Sequence, residues 1–332
     1  RSAGSSPPLS PLLSPPPMQP ESLFVGVLAG LVIAWALVMI GVFFSFSCVR
    51  TPSSLNQPFL SELPAPSRQG SFRSVQRQKS WTASKDASPW DMMFGAGRAS
   101  TTSQIRFAFV RKVYALLATQ LLATVLIVAG TIYLSFDGFD ARAPTTFGIN
   151  LIHSIGWLQW VLFIPALLIC CILQSVKNMY PINYLTLAAF TVLMSSIVAM
   201  ECLVYFAYGF GVQILLAAGI TTCIFLLLTI YTMCSKRDFE FMGMFLFAGL
   251  NLLIIWGFVL FIGRLMFGYS AGWDIGYCVV GSLLFCGFII FDTHMIIAKL
   301  GVDDYIIATI ELYLDIINLF LYILSILAAS RD

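Results

Sequence analysis

Two stretches near the end of the chain carry acids where acids are costly. GFIIFDTHMII (residues 287–297) and LYLDIINLF (residues 312–320) each set one aspartate, Asp292 and Asp315, inside an otherwise apolar run. A carboxylate at the centre of a bilayer helix costs roughly 2.5–3.5 kcal/mol even on the most lenient insertion scale. Only the six residues KLGVDD connect the helices that carry the two runs, so these helices form a hairpin. Counted back from that bend, Asp292 lies roughly 10 Å and Asp315 roughly 15 Å along its helix, a similar depth at which the two can face each other. Glu311 and Asn318, at i−4 and i+3 from Asp315, share its face and are candidate members of one polar seam. Two carboxylates that meet in a low dielectric cannot both ionise; they would share a proton and so respond to pH or to a cation. The alternative is structural, each acid serving as a hydrogen-bond acceptor that ties helices together. That explains one such acid better than two at matched depth on adjacent helices.

The elements that must position this seam are those of a polytopic membrane protein. Of 332 residues, 59% are hydrophobic, 10% are charged and 28 are phenylalanine, far from the roughly 25% charge of soluble chains. Seven apolar segments are predicted near 109–134, 157–176, 181–206, 212–234, 239–263, 274–298 and 305–329. Each is long enough to cross roughly 30 Å of hydrocarbon, and the short connections make consecutive helices antiparallel. The fold class is an all-α seven-transmembrane-helix bundle spanning residues 105–330. Ahead of it, residues 1–21 are Ser/Pro-rich and read as disordered. Residues 22–48 run without a charge and read as an additional N-terminal anchor helix rather than a cleaved signal. Residues 49–104 read as a disordered, basic, cytosolic linker.

The flanking charges set the orientation. One side of the seven helices collects Arg106, Arg111, Lys112, Lys177, Lys236, Arg237 and Lys299; the other has Arg142, Arg264 and Arg331. By the positive-inside rule the linker faces the cytosol and the C-terminus does not, which disfavours a seven-helix receptor. The eight cysteines (48, 170, 171, 202, 223, 234, 278 and 286) lie in or beside apolar runs without CxxC or Cys/His spacing, and read as small hydrophobes. The basic residues form no single patch, so no nucleic-acid partner is expected. GYSAG (268–272) fits G-x-S-x-G, with His153 and Asp274 on the same membrane side. A nucleophile elbow needs a preceding strand, however, and a membrane helix stands there, so no enzyme activity and no cofactor are expected. His294 lies about 200° around the helix from Asp292, which aims it at a neighbouring helix or the headgroups, with a linker-side proton donor to the seam as the sharper alternative.

The C-terminal text GSLLFCGFIIFDTHMIIAKL and DDYIIATIELYLDIINLFLYIL resembles the signature of the transmembrane Bax inhibitor motif family. IRFAFVRKVYALLATQ (105–120), MYPINYL (179–185) and YTMCSKRDF (231–239) resemble its lifeguard branch in the same order. The resemblance spans about residues 104–330 and leaves residues 1–100 without a counterpart; Met18, Met92 and Met93 are each read as a candidate start. It implies a seven-helix fold, Golgi or endoplasmic reticulum membranes, restraint of cell death, and a pH-sensitive calcium leak governed by an aspartate pair. Asp292 and Asp315 stand at the positions of that pair. Where the branch has an arginine before Tyr-Pro this chain has Lys177, a point charge rather than a bidentate fork. An acid expected near Met194 has its counterpart two turns later in Glu201, and residue 311 is a glutamate where an amide or small residue is usual. Lys177, Glu201 and His294 therefore join Glu311 and Asn318 as candidate seam partners.

The implied function is a proton-gated calcium leak that restrains apoptosis, with calcium as permeant ion, no tightly held metal, and transient calcium at Asp292, Asp315 and Glu311. The implied partners are lipid, protons, calcium and other membrane proteins of the cell-death machinery. The alternatives are a non-conducting scaffold that suppresses cell death through protein contacts, and a proton-coupled transporter. The charge asymmetry yields a direct test. A tag placed within residues 49–100 is expected to be cytosolic and one after Asp332 is not; protection of the linker tag from protease added to intact vesicles would reverse the orientation.

Overall fold

The computed structural model describes residues 101–138, 140–176, 179–235, 237–267, 271–298, 300 and 304–330. The segments expected over 1–21 and 22–48, the linker as far as residue 100, and the GYSAG serine, Ser270, lie outside the described residues. The described chain runs α1 (Thr101–Ser135), β1 (Phe136–Asp137), β2 (Asp140–Pro144), α2 (Thr146–Val176), α3 (Ile182–Ala207), α4 (Gly211–Cys234), α5 (Met242–Phe267), α6 (Ala271–Ala298) and α7 (Tyr305–Ala329). All seven helices are long and apolar enough to cross a bilayer, as the hydrophobic segments predict.

Two boundaries differ from the sequence reading. α1 begins at Thr101, so the residues 101–104 assigned to the linker are helical; the helix continues beyond the apolar stretch because its own backbone hydrogen bonds do not require a lipid environment. α2 begins at Thr146 rather than near 157. Thr145 caps it, its hydroxyl accepting the Gly148 N–H at 3.0 Å and donating to the Leu134 and Ser135 carbonyls at 3.0 and 3.1 Å. The extra turns carry Asn150 and His153, which interrupt the apolar run without breaking the helix.

A two-stranded antiparallel hairpin, unforeseen from the sequence, joins α1 to α2, pairing Phe136 with Pro144 and Asp137 with Asp140. Gly138 in its turn adopts φ 73°, which favours glycine. A Cβ on Gly148 would overlap the Ser135 carbonyl, so only glycine permits this approach of α2 to the end of α1.

The bundle is built around α7. Residues 306–319 are buried on every side, as befits a helix that is apolar around its circumference and enclosed by others. α6 packs along α7, and α4 and α1 flank it; α3 lies between α1 and α2, and α5 sits at the periphery against α6. Glycines set the closest approaches. A Cβ at Gly281 would come within 2.7 Å of the Tyr322 ring, and one at Gly287 within 2.6 Å of Leu246; Gly249 receives Leu284 in the same way. Gly219, by contrast, has no neighbour within 4 Å of its would-be Cβ.

Tyr322 cannot swing aside, because it stacks on Phe285 (centroids 5.8 Å apart) and meets Tyr277 at 3.4 Å between hydroxyls. Gly281→Val is therefore expected to lower stability by about 1–3 kcal/mol, the usual range for overpacking, in thermal unfolding of the purified protein. Gly219→Ala should change it by no more than about 1 kcal/mol. Equal effects of the two would show that the α6–α7 contact does not rest on the glycine notch.

Candidate functional site

The short connection between α6 and α7 turns the chain back so that Asp292 and Asp315 meet. Both are buried, at 6% exposure each, and their carboxyl groups lie within hydrogen-bonding reach of one another. Two carboxyl groups can bond only if one supplies an O–H, so the contact itself calls for a shared proton. Glu311 and Asn318, also buried, lie along the same helix, and Glu311 is within electrostatic range of Asp292, Asp304 and Cys170 of α2.

The seam is rich in acceptors and poor in donors. Asp315 Oδ2, Glu311 Oε1 and Asn318 Oδ1 are buried without a hydrogen-bond partner. The Asn318 amide turns its Nδ2 back to the Leu314 carbonyl at 2.8 Å, bonding its own helix instead of either aspartate. A row of oxygens without donors suits protons, water or a hard cation, all of which are attracted to oxygen lone pairs. Among the described residues no group of three or more His, Cys, Asp or Glu is arranged to hold a metal.

The remaining sequence candidates lie elsewhere. Glu201 pairs with Gln159 of α2, whose Nε2 donates to Glu201 Oε1 at 2.6 Å, and is not brought to the aspartates. His294 points to the α4–α5 connection, its Nε2 3.5 Å from Asp238 Oδ1 and its ring edge-on to Phe239. That is the neighbouring-element orientation expected from its offset on the helix. Lys177 lies outside the described residues.

Several supporting residues were not singled out from the sequence. Tyr313, fully buried on α7, meets the Thr124 hydroxyl of α1 at 2.9 Å, and Thr124 meets Ser195 of α3 at 2.8 Å. Gln120 donates to Thr191 at 2.9 Å, adding a second α1–α3 bond. Arg106, read only as a flanking charge, donates to the Leu300 carbonyl at 2.6 Å and to Ala298 at 3.3 Å, satisfying the carbonyl end of α6. Lys112 sits 3.3 Å from the centroid of Tyr305 and 5.7 Å from that of Tyr184, and Asn183 donates to the Tyr305 hydroxyl at 3.2 Å. The periodic signal for such partners was weak, because helices apolar on all sides give no stripe that fixes their rotation.

Fold and site together define a multi-pass membrane bundle with a carboxyl pair between its last two helices. Residues 106–332 match the family described as inhibitor of apoptosis-promoting Bax1. The chain is 39% identical over 239 residues to protein lifeguard 4 of Mus musculus, covering 72% of this chain and 92% of that one. It is 37% identical over 245 residues to the Golgi anti-apoptotic protein of vaccinia virus, covering 73% and 93%. With LIFEGUARD 4 of Arabidopsis thaliana it shares 36% identity over 231 residues, 69% and 87% of the two chains. The chain belongs to the Bax inhibitor family, among its lifeguard homologues, a family of anti-apoptotic membrane proteins not known as enzymes.

The carboxyl contact predicts how replacement should behave. Asp315→Asn still donates and accepts, so the fold should hold. Asp315→Leu leaves Asp292 facing a group without hydrogen bonds, at a cost of about 1–3 kcal/mol. Thermal unfolding of the two variants checks this, and a leucine variant as stable as the asparagine one would mean that the aspartates do not support each other.

Proposed function

We propose that this protein restrains cell death from a Golgi or endoplasmic reticulum membrane by leaking calcium through the seven-helix bundle, under the control of the proton shared by Asp292 and Asp315. The observation that carries the reading is the contact of those two buried carboxyls on α6 and α7. The name of one relative, the Golgi anti-apoptotic protein, supports the membrane and the cellular role. The positive charge at the linker end of the bundle, where Arg106 and Lys112 join the ends of α6 and α7, supports a cytosolic linker.

The gating sense follows from the proton. While it is held, the carboxyls attract and α6 and α7 stay closed on each other. As pH rises and the proton leaves, two adjacent carboxylates repel in a medium that screens them poorly. The separated pair, with Glu311 Oε1 and Asn318 Oδ1 beside it, then offers oxygens to calcium, a hard cation that binds oxygen ligands. Lowering the pH restores the proton and closes the path.

Calcium flux from proteoliposomes across a pH series tests this. The parent is expected to leak faster as pH rises, and Asp292→Asn and Asp315→Asn should each lose the pH response as completely as the double variant, because coupled groups act as a unit. Flux no greater than that of empty vesicles at every pH would favour a scaffold. Saturation by a transported solute would favour a transporter, and additive single-variant shifts would mean that the aspartates titrate independently.

A further inference from the structure

Glu201 stands apart from the aspartate pair, in the opposite half of the bundle. α3 and α7 run in the same direction, since Asn183 near the start of α3 bonds Tyr305 at the start of α7, and Tyr205 near the end of α3 meets Ser325 near the end of α7 at 3.1 Å. At 1.5 Å per residue these two registers place Glu201 about 10 Å farther from the linker end than Asp315. Its carboxyl faces α2, where Gln159 Nε2 lies 2.6 Å from Oε1. Gln159 is at 0% exposure, and its own Oε1 has no hydrogen-bond partner among the described residues.

An ionised Glu201 would leave this pair short of donors. The carboxylate would take the amide N–H at Oε1 and offer no donor to the buried amide oxygen, with a full charge among apolar helices. One proton on Glu201 removes both faults. The acid becomes neutral, and its O–H is the donor that Gln159 Oε1 lacks, so acid and amide can close a planar ring of two hydrogen bonds. Among the described residues no charged group acts on Glu201. α2 contributes Gln159; α3 itself contributes Cys202 and Tyr205 within electrostatic range. Tyr205 is in turn in range of Cys278 on α6 and meets Ser325 on α7. Asp292, Asp315 and Glu311 are not among the groups acting on Glu201.

We propose that Glu201 and Gln159 form a second proton-binding site, separate from the aspartate pair and toward the other face of the membrane, in which the amide holds the neutral acid. The site stands on the acid–amide geometry and does not depend on whether the bundle passes calcium. The proton adds a second bond to the α2–α3 contact, from the acid O–H to Gln159 Oε1, beside the Nε2–Oε1 bond that either form of the acid accepts.

Infrared spectroscopy of the full chain in lipid nanodiscs distinguishes the C=O stretch of a protonated acid from that of a carboxylate. At neutral pH the parent is expected to show a protonated-acid band that Glu201→Gln removes and that Asp292→Asn/Asp315→Asn leaves in place. Gln159→Leu keeps the acid but strips its partner, so the band should remain and move to higher frequency. Glu201→Gln can still pair amide to amide and is expected to fold; should it not, the shift in Gln159→Leu decides alone. An unchanged band in Glu201→Gln, or an unshifted one in Gln159→Leu, overturns the proposal. Because no flux is measured, its failure is distinct from failure of the calcium reading.

Discussion

A hydrogen bond between two acids inside a bilayer-spanning bundle is the constraint on which the rest of this structure depends. Asp292 and Asp315 can meet only while a proton joins them, and only if α6 and α7 approach closely at that depth. The bend between the helices brings the acids level. The absence of a side chain at Gly281 admits the Tyr322 ring farther along the same interface, and the Arg106 guanidinium holds the carbonyl end of α6. Remote parts of the chain thereby converge on one contact.

α7 carries the polar seam and is also the most enclosed element. Its surroundings anchor it at three levels: Lys112 and Asn183 on Tyr305 at the linker end, Thr124 on Tyr313 about 3 Å before Asp315 in depth, and Tyr205 on Ser325 toward the far end. These bonds reach α1 and α3, so loosening of the α6–α7 contact leaves α7 attached to the opposite wall. α6 packs on its other sides against α4 and the peripheral α5, and at its carbonyl end against Arg106 of α1. The His294–Asp238 approach ties that same end of α6 to the α4–α5 connection.

Much of this was legible in the sequence, for identifiable reasons. Apolar runs long enough to span a bilayer announce themselves, and a six-residue connection with a fixed helical rise is enough to bring Asp292 level with Asp315. The 200° offset of His294 likewise pointed it away from the pair. What stayed hidden depended on helix rotation and side-chain choice. Glu201 could be placed by depth but not by facing, because α3 is apolar around its circumference, and its partner Gln159 lies 42 residues away on a helix with the same lack of pattern. Asn318 shares the face of Asp315, yet its amide satisfies its own helix backbone, a choice that position alone does not reveal. The β1–β2 hairpin was too short to give an alternating pattern, and Thr145 capping extended α2 through polar residues that read as loop.

If a proton holds Asp292 against Asp315, the separation of the two carboxyls measures it most directly. Structures of the protein in lipid at two pH values, one on each side of the titration of the pair, would provide it. A carboxyl–carboxyl hydrogen bond is expected at the lower pH and carboxylates moved beyond hydrogen-bonding distance at the higher, with the linker-side end of α6 displaced from α7. The same short contact at both pH values would contradict it.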